Sequence, residues 1–268
     1  MDDTAAYRRG NKAAWDASAP AHGSGEGWEK LLADAALPGF SELDETLTAT
    51  LRSLDLRGKR AVQVCCNNAR ELLSLPSLGI EPVLGIDQSG AFLAQGAALS
   101  AAAGRELRLV EADVYALPEG LGTYDLALIT IGVLNWMPDL PGFFRAVAGL
   151  VAPGGRLVIY ETHPILEMVD PEGEDPHALA FSYFDKDPIE VPEMIVYDGA
   201  PTVASGAMGY WFVHTMGEIV TACIAAGFVL ERLEEHRHSN REPDYDKYEG
   251  QEAQLPLCYT LVARRAGA

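Results

Sequence analysis

The sequence predicts an α/β fold built on a doubly wound, seven-stranded and mostly parallel sheet whose last strand is antiparallel. Short apolar runs alternate with helix-forming segments over residues 61–163, an order that places helices on both faces of a parallel sheet. Two of these runs are followed by acidic residues, Asp87 and Asp113. Because ligands bind at the carboxyl ends of parallel strands, these carboxylates mark the predicted ligand edge.

The first strand, turn and helix occupy the stretch AVQVCCNNAR, residues 61–70. The glycines usual at a nucleotide-binding turn are absent, and Asn67 tolerates a positive φ better than most residues, so we expect it to make the turn. Asn68, followed three residues later by Glu71, is typical of a helix start in which a side chain accepts from the first free N–H groups.

The remaining elements follow at regular spacing. Ser89 is predicted to cap one helix, and Thr215 with Glu218 forms the capping-box pattern of a later one. The run over residues 124–131 is nearly continuous in apolar residues, as in a strand buried on both faces. The predicted strands after the first cover residues 83–86, 107–110, 124–131, 156–161, 228–230 and 255–262.

The N-terminal segment is helical in tendency. Tyr7, Asn11 and Trp15 are spaced by four, so they share one helix face. Two interpretations stay open: a helix docked on the core with buried aromatic rings, or a lid in which Tyr7 or Trp15 contacts the ligand. Helix breaks are expected near Pro20, in the glycine-rich stretch Gly23–Gly27 and near Pro38–Gly39, and Ser41 is expected to open the next helix.

The alternation of strands and helices stops at residue 164. Residues 164–209 hold six prolines, ten acidic residues and one lysine. Such an insertion is either disordered or functional, and its aromatic residues, Tyr197 among them, argue for a cap over the ligand edge. We therefore divide the chain into an N-terminal helical lid or docking segment, a core, a cap insertion and the C-terminal part of the core, at residues 1–57, 58–163, 164–213 and 214–268.

The charge balance limits the partners. The net charge is −19, from 39 acidic and 20 basic side chains, which disfavours nucleic acids and anionic membranes because both need a basic surface. No apolar run is long enough to span a bilayer, and the N-terminus lacks the apolar block of a signal peptide. We expect a cytoplasmic protein with a small, neutral or cationic substrate. The cysteines lack zinc-site spacing, so no metal is expected.

Five motifs occur in a fixed order. AVQVCCNNAR stands where V-L-D-x-G-x-G-x-G is usual, GIDQS (85–89) and EADV (111–114) carry the acidic residues, YDLALITI (124–131) follows, and APGGRLVI (152–159) matches L-x-P-G-G-x-L-x-I. Together they resemble the class I S-adenosylmethionine-dependent methyltransferases, over residues 61–163 and more loosely 214–263. The resemblance implies a Rossmann-like core, S-adenosylmethionine as cofactor and methyl transfer as activity.

The resemblance also implies which residues bind the methionine end of the cofactor. Thr130 and Ile131 lie under the reacting sulfonium. Two further residues are expected there on other grounds: Arg70 as a partner for the cofactor carboxylate where the usual glycines are missing, and Trp15 if the N-terminal helix is a lid. The backbone facing the methionine part is that of Cys65, Cys66, Asn67 and Asn68. Gln63 departs from the family, which has an acidic residue there.

The nucleoside end is assigned in the same way. Asp87 is expected to bind the ribose hydroxyls, with Gln88 beside the adenine. Asp113 is expected to accept from the adenine amine, with Val114 adding backbone contacts. A helix N-cap is the alternative role for Asp113.

Two histidines are the candidate catalytic residues. Methyl transfer is an in-line displacement that requires an aligned nucleophile, and a phenol or alcohol also needs a proton acceptor, for which histidine is the usual choice. His163 directly follows the strand at 156–161, and His214 precedes the helix opened by Thr215. Either is also compatible with a hydrogen-bonded structural role.

The first functional hypothesis is methylation of an O or N atom of a small organic molecule, such as a secondary metabolite. The alternatives are a protein or peptide methyltransferase and a non-catalytic S-adenosylmethionine-binding protein. A nicotinamide oxidoreductase leaves the Pro-Gly-Gly segment and Asp113 without a role. The expected partners are the small-molecule substrate and a second copy of the chain in a homodimer, with no nucleic acid and no membrane.

Overall fold

A computed structural model describes residues 3–196 and 203–267, so Tyr197 of the predicted cap lies outside the described residues. The strands are β1 (Arg60–Val64), β2 (Glu81–Asp87), β3 (Arg108–Glu111), β4 (Tyr124–Thr130), β5 (Val151–Thr162), β6 (Ile189–Glu193), β7 (Ala204–Trp211), β8 (Phe228–His236) and β9 (Cys258–Arg265). The helices are α1 (Thr4–His22), α2 (Gly25–Ala35), α3 (Glu45–Arg52), α4 (Arg70–Ser74), α5 (Gly90–Ala102), α6 (Leu140–Leu150) and α7 (Met216–Ala225).

The main sheet has seven strands in the order β3-β2-β1-β4-β5-β9-β8, and β6 pairs with β7 in a separate two-stranded sheet. β9 is antiparallel to both β5 and β8, whereas the pairs among β1 to β5 are parallel. This confirms the predicted fold class. No helix in the described part of the chain is long and apolar enough to cross a membrane.

The central strands are buried on both faces. Alternate residues of β1 and β4 enter two different cores: Val62 and Ile129 pack with α6 and α7 on one face, and Ala61 and Leu128 pack on the other. Phe143 of α6 has no exposed surface, and burying one such side chain contributes roughly 1.5–3 kcal/mol. The two hydrophobic cores therefore stabilise the central strands, whose carboxyl ends form the edge where ligands are expected to bind.

The predicted caps of α5 and α7 are confirmed. Ser89 Oγ accepts from Phe92 N at 3.3 Å. Thr215 Oγ1 accepts from Glu218 N at 3.1 Å while the Glu218 carboxylate accepts from Thr215 N at 2.9 Å, completing the capping box.

The N-terminal predictions need three corrections. α1 continues through Pro20 to His22 and has Gly23 as its C-cap, so the helix ends just after the predicted break. The next predicted helix does not begin at Ser41: α3 begins at Glu45, where Asp44 caps it by accepting from Leu47 N at 2.8 Å. The glycine-rich stretch treated as a break contains α2, whose apolar face packs on Leu73 and Leu99.

α1 and β7 pack closely above the carboxyl edge of the sheet. Asn11 is buried and bridges three backbone groups: its Nδ2 donates to Trp136 O (3.1 Å) and Tyr210 O (3.0 Å), and Tyr210 N donates to its Oδ1 (2.6 Å). Gly10 permits this approach, since a Cβ there would lie 2.7 Å from Met208 O. The lid segment and the cap insertion thus form one cover.

Candidate functional site

A cavity of about 720 Å³ lies at the carboxyl edge of the sheet. We call its first side the sheet wall, formed by Gln63, Cys65, Cys66, Asn67, Asn68, Arg70, Asp87, Gln88, Thr130 and Ile131. We call the opposite side the cover wall, formed by Trp15, His22, Trp28, Leu31, Ile195, Trp211, Arg241, Glu242, Asp244 and Tyr245. All but two of the predicted cofactor residues, Asp113 and Val114, border this cavity.

The turn after β1 contains three left-handed residues. Cys65, Asn67 and Ala69 have φ of 55°, 53° and 59°, and each such non-glycine position costs of the order of 1 kcal/mol or more. The positive φ predicted for Asn67 is present, but the same conformation also recurs at the other two positions where the family has glycine. The substituted turn therefore keeps a glycine-type backbone path.

The start of α4 corrects a second prediction. Ala69, not Asn68, occupies the N-cap position, but the predicted side-chain acceptor is present, since Asn68 Oδ1 accepts from Arg70 N at 3.4 Å. Gln63 of β1 supplies a second acceptor: its Oε1 accepts from Leu72 N at 3.0 Å, and its Nε2 donates to Thr130 Oγ1 at 3.0 Å. The residue that departs from the family pattern therefore joins β1, β4 and α4.

Asp87 is held at the end of β2 by two backbone donors. Its Oδ2 accepts from Asn67 N at 2.7 Å and its Oδ1 accepts from Ser89 N at 2.8 Å. Burial raises the pKa of this carboxyl to about 6, while the two N–H donors act in the opposite direction. Asp87 is therefore ionised at neutral pH and fixed against the cavity.

Asp113 and Val114 border a separate small cavity of about 20 Å³, which Asp87 and Gln88 also line. Asp113 Oδ1 accepts from Tyr115 N at 3.0 Å and so caps a short 3₁₀ helix. Its Oδ2 accepts from Arg8 of α1, whose guanidinium lies 5.1 Å from the centre of the Tyr115 ring. The alternative N-cap role of Asp113 is thus present, together with an ion pair to the lid.

Polar contacts fasten α1 beside Asp87. Lys12 Nζ donates to Gln88 O at 2.8 Å and pairs with Asp16 (2.9 Å) and Glu111 (3.0 Å). Ser89 Oγ donates to Asp16 Oδ1 at 2.6 Å. The helix is therefore docked at the ends of β2 and β3.

The two aromatic residues of α1 have different environments. Trp15 borders the cavity and packs edge-on against Phe92 and Trp136, at 5.6 and 5.5 Å between ring centres. Tyr7 packs on Tyr210 and Phe212 and does not border the cavity. Of the two open interpretations, docking describes Tyr7, whereas Trp15 is both docked and placed on the ligand side.

The two candidate catalytic histidines do not border the cavity. His163 Nδ1 accepts from Ile165 N at 3.1 Å, which leaves Nε2 to donate to Glu235 at 2.8 Å. His214 Nε2 lies 2.8 Å from Met137 O, a carbonyl to which it can only donate. Burial lowers the pKa of both rings. Each histidine therefore has a structural hydrogen bond and lies outside the lining of the cavity.

Sequence reasoning missed the cavity residues from the connection between β8 and β9. Arg241, Glu242, Asp244 and Tyr245 reach the cover wall from a polar stretch far from the recognisable motifs. The one local signal is the polar and aromatic sequence REPDY at 241–245. Nothing in its periodicity places it opposite the turn after β1.

Glu161 is a buried support beneath the site. Its carboxylate accepts from Gly132 N (2.5 Å), Val133 N (2.8 Å) and Leu134 N (3.2 Å). Burial raises its pKa to about 7 against the effect of these donors. Glu161 therefore fixes the segment after β4, where Ile131 has a φ of 32°.

Comparisons with known proteins agree with this geometry. Residues 62–159 match the methyltransferase domain family. A demethylmenaquinone methyltransferase from Lactococcus lactis subsp. lactis is 29% identical over 137 residues, 49% of this chain and 54% of that protein. One from Thermus thermophilus is 37% identical over 82 residues, 31% of this chain and 37% of that protein. The chain thus spans about half, or less, of the curated relatives it matches.

The fold is also that of a solved S-adenosylmethionine-dependent methyltransferase from Mesorhizobium loti. The TM-score is 0.54 at 22% identity, covering 89% of this chain and 97% of that structure. The two structures align over 89% of this chain, so the structural similarity extends beyond residues 62–159. The chain thus carries a methyltransferase domain over residues 62–159 and has the strand order and fold of a solved S-adenosylmethionine-dependent methyltransferase.

Proposed function

We propose that this chain transfers the methyl group of S-adenosylmethionine to an O or N atom of a small organic molecule. The observation that carries the proposal is one cavity bounded by the family's cofactor turn on the sheet wall and by an aromatic cover opposite it. Its volume of about 720 Å³ lies within the usual range for small-molecule sites. Cofactor and acceptor would therefore share one enclosed space.

The donor set of the sheet wall fits the cofactor. Asp87 would bind the ribose hydroxyls, with Gln88 beside the adenine. The left-handed turn brings backbone close to the methionine part, and Arg70 is suited to its carboxylate. Thr130 and Ile131 would lie next to the sulfur. When bound, the cofactor supplies a methyl group activated by a positively charged sulfur.

Asp113 and Val114 are assigned to the adenine. Since Arg8 occupies the Asp113 carboxylate, adenine binding at Asp113 requires the Arg8 side chain to move or to share that carboxylate. This supports a lid role for α1.

The cover wall supports a small acceptor. Trp15 and Trp211 face the cavity from two separate segments, so the acceptor is shielded from water and aligned by apolar contact. The names of the two curated relatives describe action on demethylmenaquinone, a small molecule.

The test begins with cofactor binding, measured by titration calorimetry with S-adenosylmethionine and by native mass spectrometry of the purified protein. Methyl-labelled S-adenosylmethionine is then supplied with a bacterial extract separated into small-molecule and protein fractions. We expect label in the small-molecule fraction. Label in protein alone would favour the protein methyltransferase, and binding without transfer would favour a non-catalytic protein. Absence of binding would overturn the proposal.

A further inference from the structure

The connection between β8 and β9 holds Glu242 rigidly at the cavity. Glu242 N donates to Ser239 Oγ (3.2 Å), and Glu242 O accepts from Ser239 Oγ (2.9 Å) and Tyr245 N (3.0 Å). The residue also precedes the 3₁₀ helix Pro243–Tyr248 as its N-cap. Its backbone is therefore fixed while its side chain borders the cavity.

The preceding residue adopts a strained conformation. Arg241 has a φ of 74°, which for a non-glycine residue costs of the order of 1 kcal/mol or more. This conformation turns its guanidinium towards Glu42 O (2.8 Å) and Glu71 Oε1 (3.1 Å). Arg70 donates to the same Glu71 oxygen at 3.1 Å. Two guanidinium groups thus compensate Glu71 and leave Glu242 outside this network.

The Glu242 carboxylate accepts no hydrogen bond from any residue in 3–196 or 203–267, although it faces a cavity with several polar groups. Burial raises its pKa to about 7; Glu161 and Asp244 act in the same direction, and Arg241 and Arg70 act against them. An unpaired carboxylate of this kind is a proton acceptor at neutral pH.

The surroundings favour a cationic ligand. Glu42 and Asp244 also border the cavity, while its two guanidinium groups, Arg70 and Arg241, already pair with Glu71, so a phenolate or alkoxide would meet a net negative charge there. Trp15, Trp136 and Trp211 border the same space, and tryptophan faces attract cations. An amine that enters as an ammonium ion satisfies both features.

We propose that Glu242 is a catalytic residue that binds the ammonium group of a small amine acceptor and removes its proton, which makes this chain an N-methyltransferase. This inference rests on the proposed function above and selects nitrogen as the accepting atom.

The chemistry balances without a further reagent. One N–H bond of the ammonium breaks, its proton passes to a Glu242 carboxylate oxygen, and the bonding pair becomes the nitrogen lone pair. That pair forms the new bond to the methyl carbon, while the carbon–sulfur pair stays on sulfur. The products are an N-methylated ammonium ion, the neutral demethylated cofactor and protonated Glu242, which then loses its proton to solvent.

The experiment uses the full chain, methyl-labelled S-adenosylmethionine and matched probes: benzylamine and 2-phenylethylamine as amines, benzyl alcohol and 2-phenylethanol as their oxygen analogues. The variant is Glu242→Gln. The control is Asp246→Asn, a carboxylate-to-amide change at an exposed position in the same 3₁₀ helix, outside the cavity. Calorimetry with S-adenosylmethionine shows whether each protein still binds cofactor.

We expect transfer to the amines and a loss of about 100-fold or more in Glu242→Gln, the usual size of a general-base contribution. Asp246→Asn should match the wild type. The wild-type rate should fall below pH 7 as Glu242 is protonated, and the residual rate of Glu242→Gln should lack this step.

Unchanged transfer in Glu242→Gln, or transfer by the wild type to the oxygen analogues alone, would overturn the inference and leave the proposed function intact. A wild type that binds the cofactor but methylates no amine probe would also overturn it. A wild type that does not bind the cofactor would overturn the proposed function itself.

Discussion

The sheet wall and the cover wall of the cavity are built in different ways. Side chains of the sheet wall follow the ends of parallel strands, and Asp87 is positioned by backbone donors from the adjacent turn. The cover wall is assembled from α1, α2, the cap and the β8–β9 connection, segments more than 200 residues apart in the chain. Two of these segments, α1 and the cap, are positioned by contacts with each other, such as those of Asn11 in α1 with Tyr210 in β7.

This difference in construction suggests a division of roles, with the cofactor bound by the sheet wall and the acceptor by the cover wall. A wall fixed by a hydrogen-bonded sheet suits the invariant part of a reaction, the cofactor. A wall assembled from inserted segments can change without altering the sheet and suits the acceptor. The predictions below test that separation, from the largest expected effect to the smallest.

Replacing Asp87 by Ala tests the sheet wall. Removal of a carboxylate that would accept from ribose hydroxyls should weaken S-adenosylmethionine binding by about 100-fold or more, since charge-assisted hydrogen bonds contribute about 1.5–3 kcal/mol each. Titration calorimetry measures the change. Glu81→Gln, an exposed carboxylate change at the other end of β2, should bind normally. Equal affinity of Asp87→Ala and wild type would show that the cofactor lies elsewhere.

Replacing Asn11 by Ala tests the joint between α1 and the cap. It leaves Trp136 O, Tyr210 O and Tyr210 N without their buried partner. The free energy of unfolding measured in urea should fall by about 2–3 kcal/mol. Arg9→Ala, exposed on the same helix, should change it little. A loss no larger than that of Arg9→Ala would mean that the cover is held by apolar packing alone.

The pH dependence of stability tests the unpaired carboxylate of the cover wall. The folded-state pKa of Glu242, about 7, lies above its ordinary value of 4.5. Its stabilising contribution is therefore present below pH 4.5 and lost as the pH rises through 7. The free energy of unfolding of Glu242→Gln relative to the wild type should therefore increase as the pH is raised from 5.5 to 8.5. The increase should be about 1 kcal/mol after allowance for partial exposure of the carboxylate. A gain that does not depend on pH would contradict the raised pKa.

The smallest effect is expected in the turn. In Ala69→Gly, the left-handed φ (59°) is no longer strained. This gain offsets the loss of a buried methyl group and the larger conformational entropy of the unfolded chain. The free energy of unfolding should therefore change by less than about 1 kcal/mol. Ala222→Gly in α7, also buried but helical, should lose about 2 kcal/mol. Similar losses in both variants, seen in urea unfolding, would show that position 69 is not strained.

Local patterns predicted the sheet wall well. The apolar runs and the acidic residues at their ends place Asp87 and Asp113 at the carboxyl edge of the sheet, because strand order and direction follow from the alternation of elements. At the start of α4 the local pattern found only part of the cap: Asn68 accepts from Arg70 N, whereas Gln63, nine residues before Leu72, accepts from Leu72 N. A pattern within four residues cannot reveal such a cap.

The cover wall could not be predicted in the same way. α2 lies within a glycine-rich stretch whose helical conformation depends on packing against Leu73 and Leu99. His163 and His214 were plausible by chemistry and position along the chain, yet their ring nitrogens are bonded elsewhere. The direction in which a side chain points depends on tertiary contacts that the sequence pattern does not encode.

The ion pair between Arg8 and Asp113 has a kinetic consequence. A cation from α1 occupies the carboxylate assigned to the adenine amine, while Lys12 of the same helix binds beside Asp87. In the proposed binding mode the adenine amine competes with Arg8 for this carboxylate, so entry of the nucleoside displaces the Arg8 side chain or shares Asp113 with it, and departure of the nucleoside restores the ion pair. Turnover should be paced by exchange of the spent cofactor rather than by the bond-making step, and added salt, which weakens the ion pair, should accelerate that exchange.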